Sequence, residues 1–249
     1  MPQSPHLPWL EEGDAFPEVA RAWPAGSPAP GLLAAGGKLG VAQLLAAYSN
    51  GIFPWYSAGQ PILWWSPDPR MVLQTAQFRL HRSLKKTIKH FRLDARCQIR
   101  FDSAFEQVIT HCAHTSRRGQ NGTWILEEMV QAYTALHAAG YAHSIETWID
   151  GHLVGGLYCV AIGQAVFGES MFSLQSDASK LALAALVSFC LQHGIECIDC
   201  QQNTSHLASL GAREMPRTQF VAKVREAALR PSPRWEFDNL YWQHILANG

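Results

Sequence analysis

The chain has 249 residues, of which 47% are hydrophobic and 16% charged, so it is long enough for one large core or two modest ones and too apolar to be disordered. Its formal net charge is zero, so any affinity for a polyanion must come from a local cluster of cations. No apolar run reaches the roughly 18 residues a membrane span needs, and no basic stretch followed by an apolar one marks a secretory signal. Cys97, Cys112, Cys159, Cys190, Cys197 and Cys200 follow no disulfide framework and several lie in apolar runs, which reads as free thiols in a cytoplasmic protein.

Residues 1–68 are rich in proline, glycine and aromatics; half of the 14 prolines precede residue 31. One helix is expected there, Gly40 to Ser49, with Leu44, Leu45 and Tyr48 on a common face and a stop at Asn50-Gly51. The runs Gly51-Ile-Phe-Pro-Trp-Tyr56 and Ile62-Leu-Trp-Trp-Ser-Pro-Asp-Pro-Arg70 supply rings that either pack a core or stack on nucleobases, the latter contributing about 1–3 kcal/mol per base. From residue 69 the pattern becomes regular. Between Arg79 and Arg100 the only acid is Asp94, and Arg82, Lys85, Lys86 and Lys89 recur at helical spacing, forming either a solvated basic face or a phosphate-binding one. Helices are expected over Phe101–Cys112 and Leu126–Ala139. Strands follow at His143–Ile149, Leu153–Ile162 and Ala165–Met171, joined by the two-residue turns Asp150-Gly151 and Gly163-Gln164. Gly155-Gly156 inside the second strand predicts a bulge or a close backbone approach. Asp177 is suited to cap a buried helix over Ala178–His193 that stops at Gly194, and a last strand runs to Gln201. An antiparallel meander, a buried helix and a returning strand make an α+β domain with an order like that of an acetyltransferase core.

Two apolar strands end on polar residues: one on Glu169, the other on Asp199 and Gln201, which strict alternation puts on one face. A polar cluster over an apolar floor is suited to a small-substrate site. Other signals carry less. Cys197-Ile-Asp-Cys200 lies in a strand, not at the opening of a helix as redox pairs do, and His111-Cys-Ala-His114 has no second half at metal-site spacing. Cys200 beside the cluster is either an acyl-accepting nucleophile or a packed thiol. The glycine signatures of P-loop, dinucleotide-binding and α/β-hydrolase sites are absent.

Six motifs in order carry a resemblance: Gly31-Leu-Leu-Ala-Ala-Gly-Gly37, Gly51-Ile-Phe-Pro-Trp-Tyr56, Trp64-Trp-Ser-Pro-Asp-Pro-Arg70, Gly122-Thr-Trp-Ile125, Gly168-Glu-Ser-Met-Phe-Ser173 and Ile198-Asp-Cys-Gln201. Together, from about residue 16 to about residue 222, the chain resembles the leucyl/phenylalanyl-tRNA–protein transferase family. The resemblance implies transfer of Leu, Phe and less readily Met from leucyl-tRNA, phenylalanyl-tRNA and the like to the α-amine of proteins that begin with Arg or Lys. The product is read by N-end-rule degradation, and no metal or organic cofactor takes part. It also implies a small N-terminal α/β domain over residues 1–68 and an acetyltransferase (GNAT)-like domain over residues 69–249, with a mostly antiparallel sheet and a buried helix. Asp199, Gln201 and Glu169 would carry the chemistry: Asp199 orients Gln201, whose amide oxygen receives the acceptor amine, while Glu169 fixes Gln201 and helps bind the cationic N-terminus. Trp55 and Trp124, assisted by Tyr48, would hold the terminal adenosine of the tRNA. The aminoacyl side chain would enter a pocket of Leu157, Val166, Met171, Leu183, Leu186 and Ile198, and Arg82, Lys85, Lys86 and Lys89 would follow the tRNA backbone.

The chain departs from the family pattern at Leu174, where Arg is usual, at Asp177, where Asn is usual, and at Leu126, where Thr is common; the loop from Thr115 to Asn121 is slightly longer. Two other classes compete: an acyl-CoA-dependent N-acyltransferase, whose pyrophosphate-binding glycine turn is not present, and a non-catalytic RNA-binding module, which leaves the polar strand ends unexplained. A monomer is expected, since no heptad or repeat is visible.

Overall fold

A computed structural model describes residues 6–115 and 125–247. The N-terminal part contains β1 (Trp9–Leu10), β2 (Leu32–Gly36), α1 (Val41–Tyr48), β3 (Phe53–Pro54) and β4 (Leu63–Trp65). Among the described residues these strands form a four-stranded sheet in the order β1-β2-β4-β3. The tryptophan- and proline-rich runs are thus its strands: Trp64 is fully buried, with its indole nitrogen donating to Gly36 O at 2.9 Å. The helix α1 ends as expected, with Gly51 in the left-handed region at φ 70° just beyond it.

The remaining chain runs β5 (Arg70–Gln74), α2 (Arg82–Phe91), β6 (Cys97–Phe101), α3 (Phe105–His114), α4 (Glu127–Ala138), β7 (Ala142–Ile149), β8 (His152–Ile162), β9 (Ala165–Ser173), α5 (Ala178–Gln192), β10 (Cys197–Gln201), α6 (Ser205–Ser209), β11 (Arg213–Met215), α7 (Arg217–Ala228) and α8 (Gln243–Leu246). Seven strands, among the described residues, make one mixed sheet in the order β11-β5-β10-β9-β8-β7-β6. Every neighbouring pair in it is antiparallel except β9 and β10. The molecule is a mixed α+β fold.

Both faces of the large sheet are covered, and β8 shows it residue by residue. Tyr158 and Val160 join a core with α3, α4, α7 and the small sheet, whereas Leu157, Cys159 and Ala161 join one with α2, α5 and the C-terminal Trp242 and Ile245. The helix α5 is buried on nearly all sides, which is why its sequence has no polar stripe.

Two local expectations are corrected and a third is met. The helix expected from Phe101 starts at Phe105: Phe101 closes β6, and Asp102 turns the chain at φ 56° while its carboxylate accepts Ser144 N–H at 2.8 Å. Asp177 precedes α5 but makes no capping bond. It sits at φ 63° and holds Lys180 Nζ at 2.7 Å, while Ser173 Oγ accepts the Ser179 N–H at 3.3 Å. Of the glycine pair in β8, Gly155 is where α5 touches the sheet, since a Cβ there would lie 2.5 Å from Ala178 Cβ. The register opposite also shifts between Thr147 and Trp148, so the bulge and the close approach occur together.

Candidate active site

β9 and β10 run side by side for only two residue pairs, Val166 with Ile198 and Phe167 with Asp199. Each then becomes irregular. Tyr158 pairs Ser170 and Cys159 pairs Gly168, which leaves Glu169 unopposed; Asp199 pairs Val72 and Gln201 pairs Met71, which leaves Cys200 unopposed. Bulges bend a strand and re-aim its side chains, so the polar residues emerge where the ladder gives way. The alternation expected for Asp199 and Gln201 therefore fails at Cys200, and a different device brings the two together. Gln201 N–H donates to Asp199 Oδ1 at 2.9 Å, and Gln202 N–H closes on Cys200 O at 2.7 Å. With Gln201 at φ 61°, this is a γ-turn of the rare, strained hand.

Asp199 is 1% exposed and is matched by a residue the sequence reading did not single out. Arg70, also 1% exposed, donates from Nε to Asp199 Oδ1 at 2.8 Å and from Nη2 to Oδ2 at 2.6 Å. Its Nη1 donates to Gly51 O at 3.1 Å, and its guanidinium lies 4.7 Å from the ring centroids of both Phe53 and Phe220. A buried carboxylate needs a cation within reach, so Asp199 in an apolar strand was itself a signal for such a partner. Removing one member of a pair like this typically costs about 3–5 kcal/mol.

Glu169 accepts Gln201 Nε2–H on Oε1 at 2.9 Å and Tyr133 Oη–H on Oε2 at 3.5 Å. The Tyr133 and Tyr48 hydroxyls are 2.5 Å apart. Burial pushes the Glu169 carboxyl up to about 7; bonds from Tyr48 and Gln201 oppose that, Asp199 adds to it and Arg70 opposes it. Burial, with the negative Glu169 nearby, holds both phenols well above their usual range, so they stay neutral donors. Burial also pushes the Cys200 thiol up to about 12, which disfavours the thiolate an acyl-accepting cysteine would need.

These groups border a cavity of about 340 Å³. Leu157, Met171, Leu183, Leu186 and Ile198 form its apolar lining, with Trp55 and Phe53 from the small sheet and Glu169, Asp199 and Gln201 as the polar side. Val166 does not line it and is packed into the core between sheet and α5, on the face away from Phe167. Tyr48 is fully buried against Phe167, at 5.0 Å between ring centroids, so it offers no ring face to the cavity; its hydroxyl meets that of Tyr133, which in turn donates to Glu169. Trp124 lies outside the described residues, as do most of the Thr115–Asn121 loop and the motif that begins at Gly122. Trp55 is half-buried and meets Trp65 edge-on at 5.6 Å, while Trp65 Nε1 donates to Trp55 O at 2.6 Å.

The helix α2 turns Leu84, Ile88 and Phe91 inward, leaving Arg82, Lys86 and Lys89 exposed and Lys85 half-buried. His81, just before it, shares a hydrogen bond with Ser209 O at 3.0 Å, and Arg79 N–H donates to Leu210 O at 2.8 Å. Those residues adjoin α6, whose His206 and Leu207 line the cavity, so the basic face starts beside the cavity rim. Among the described residues, no three His, Cys, Asp or Glu groups are set to hold a metal, and no helix is long and apolar enough to cross a membrane.

An apolar cavity bordered by a glutamine held through its side-chain amide by Glu169 and through its backbone N–H by Asp199 suits an enzyme that holds an apolar acyl group beside a polar reacting centre. Comparison with known proteins gives the family. The model of the family described as "Leucyl/phenylalanyl-tRNA protein transferase" matches residues 72–225, and that of its N-terminal domain matches residues 37–68. A leucyl/phenylalanyl-tRNA–protein transferase from Polaromonas sp. (strain JS666 / ATCC BAA-500) is 61% identical, covering 96% of this chain and 94% of its own. Proteins of the same name from Albidiferax ferrireducens and Leptothrix cholodnii are 60% and 58% identical, each covering 98% of this chain and 96% of its own. The chain belongs to the leucyl/phenylalanyl-tRNA–protein transferase family.

Proposed function

We propose that this protein transfers leucine or phenylalanine, and less readily methionine, from aminoacyl-tRNA to the α-amine of proteins beginning with Arg or Lys. Family membership supports this reading, and one observation carries it: Gln201 is clamped between Glu169 and Asp199 at the polar side of an apolar cavity. The cavity suits a Leu, Phe or Met side chain and penalises a charged one, which would lose its hydration without a partner.

The reaction exchanges one acyl bond for another. The acceptor's ammonium gives up a proton, and its nitrogen attacks the ester carbonyl. The C–N bond forms, and the C–O bond to the tRNA ribose breaks. The ribose oxygen takes a proton as it leaves. The ester is already activated, so the protein's contribution is to hold ester and amine together and manage one proton. An α-amine has a pKa of roughly 8, which needs only modest help near neutrality. With Nε2 of Gln201 engaged by Glu169, its amide oxygen is the end offered to the amine. Glu169 fixes that amide and favours the cationic acceptor. Trp55, with Trp124, receives the terminal adenosine, and Arg82, Lys85, Lys86 and Lys89 follow the acceptor stem.

On this reading residues 1–68 are a small domain and residues 69–249 a GNAT-like catalytic domain, supported by the antiparallel meander and by β9 and β10 parting after two residue pairs. The protein acts as a cytoplasmic monomer and its products enter N-end-rule degradation. The test is Gln201→Ala. It should still bind leucyl-tRNA in a filter assay but form no peptide bond in a single turnover. Undiminished transfer would overturn the role given to Gln201.

A further inference from the structure

We propose that Arg70 is a positioning residue for the transfer step: through Asp199 it holds Gln201 in its strained turn, and through Gly51 it fixes the aromatic wall of the cavity to the same point. The proposal rests on the transferase reading above.

Asp199 has little capacity left for chemistry of its own. Both carboxylate oxygens take hydrogen bonds from Arg70, at 2.8 and 2.6 Å, and Oδ1 also takes the Gln201 N–H at 2.9 Å. Its charge is compensated in place, and neither residue is open to solvent. What Asp199 provides is a fixed acceptor for one backbone N–H. That N–H belongs to the residue at φ 61° in the centre of the γ-turn closed by Gln202. A non-glycine residue stays in such a conformation only where its surroundings over-determine it. The Oδ1 bond acts here on the backbone itself, beside the Glu169 bond to the Gln201 side chain and the pairing with Met71, and Arg70 fixes the carboxylate that makes it.

The other end of the guanidinium reaches the small sheet. Nη1 bonds Gly51 O at 3.1 Å, and Gly51 opens the run that delivers Phe53 and Trp55 to the cavity. Phe53 and Phe220 close over the two faces of the cation. One planar fork therefore sets the distance between the reacting amide and the aromatic wall, and an ammonium cannot reproduce its geometry.

The experiment compares Arg70→Lys, Arg70→Gln and the double variant Arg70→Met with Asp199→Asn. The last keeps an oxygen for the Gln201 N–H and leaves no uncompensated charge in the core. Folding is checked by thermal melts, and two readouts follow. The first is hydrogen exchange of the Gln201 backbone amide in the protein alone; it should speed up in Arg70→Gln and return toward the wild-type rate in the double variant. The second is steady-state transfer of leucine from leucyl-tRNA. In Arg70→Gln, kcat should fall about a hundredfold with KM for leucyl-tRNA within about threefold. Arg70→Lys should recover part of that loss, and the double variant should exceed Arg70→Gln with the wild-type pH midpoint. Unchanged Gln201 exchange in Arg70→Gln would overturn the proposal. So would a double variant that is folded and inactive, because Asp199 would then act by its charge. A wild-type protein that transfers nothing sinks the transferase reading alone, since the exchange readout still decides the role of Arg70.

Discussion

Glu169 offers a test that needs no assumption about the tRNA. It is 9% exposed, and burial raises its carboxyl from 4.5 to about 7. At about 1.4 kcal/mol per pH unit, that difference amounts to about 3 kcal/mol, as an upper figure. The sign follows from proton counting. Between pH 4.5 and about 7 the folded state holds the Glu169 proton and the unfolded state has released it, so stability falls as pH rises across that window. The contribution is complete below the unfolded value and gone above the folded one. Glu169→Gln removes the titration while keeping an oxygen for Gln201 Nε2–H. Urea unfolding of both proteins at closely spaced pH values should show wild type losing about 3 kcal/mol relative to the variant between about pH 4 and about pH 8. The transfer rate of wild type should rise with a midpoint near 7, and Glu169→Gln should lack that inflection while keeping the one near 8 from the acceptor amine. Parallel stability curves for the two proteins would refute the assignment of a raised carboxyl to Glu169.

Other consequences are more local. Gly155→Ala would set a methyl 2.5 Å from Ala178 Cβ and 2.9 Å from Ala178 backbone carbon, and should cost about 1–3 kcal/mol in thermal or urea unfolding. Leu183→Ala enlarges the cavity at a residue that both lines it and packs in α5; it should cost about 2–5 kcal/mol and raise kcat/KM for phenylalanyl over leucyl donors by roughly tenfold or less. Lys86→Glu combined with Lys89→Glu should raise KM for aminoacyl-tRNA without lowering kcat, and should flatten the slope of log affinity against log salt by about one to two.

Much of the large sheet is legible in the sequence because its signals are local. The hairpins around Asp150-Gly151 and Gly163 announce themselves through two-residue turns, with Asp150, Gly151 and Gly163 all at positive φ in the structure. The buried helix α5 is equally plain from its continuous apolar run. Besides the C-terminal helices α7 and α8, the elements that escaped include strands that long-range pairing decides. β5 and β11 flank the site on one side of β10, yet Arg70-Met-Val-Leu-Gln74 follows directly on a proline-rich run and Arg213-Glu-Met215 has only three residues, so neither reads as a strand without its partners. The site behaves the same way. Glu169, Asp199 and Gln201 could be picked out as polar strand ends. The bulges that aim them, and the γ-turn that replaces simple alternation, appear only once three strands are in register. Arg70 stands 129 residues from Asp199 in the chain, so only the demand of a buried carboxylate for a cation pointed to it. Val166 and Tyr48 sit off the cavity lining for one reason: sequence places a residue near a site but does not say which side of its element faces the cavity.

The most direct measurement supplies purified protein with radiolabelled leucyl-tRNA and phenylalanyl-tRNA, and with peptides alike except for a first residue of Arg, Lys or Ala. The account predicts label on the Arg and Lys peptides, little on the Ala peptide, and none on any peptide with the Gln201→Ala variant. Labelling that ignores the first residue would contradict the acceptor rule, and tRNA binding without label on any peptide would contradict the transfer reaction itself.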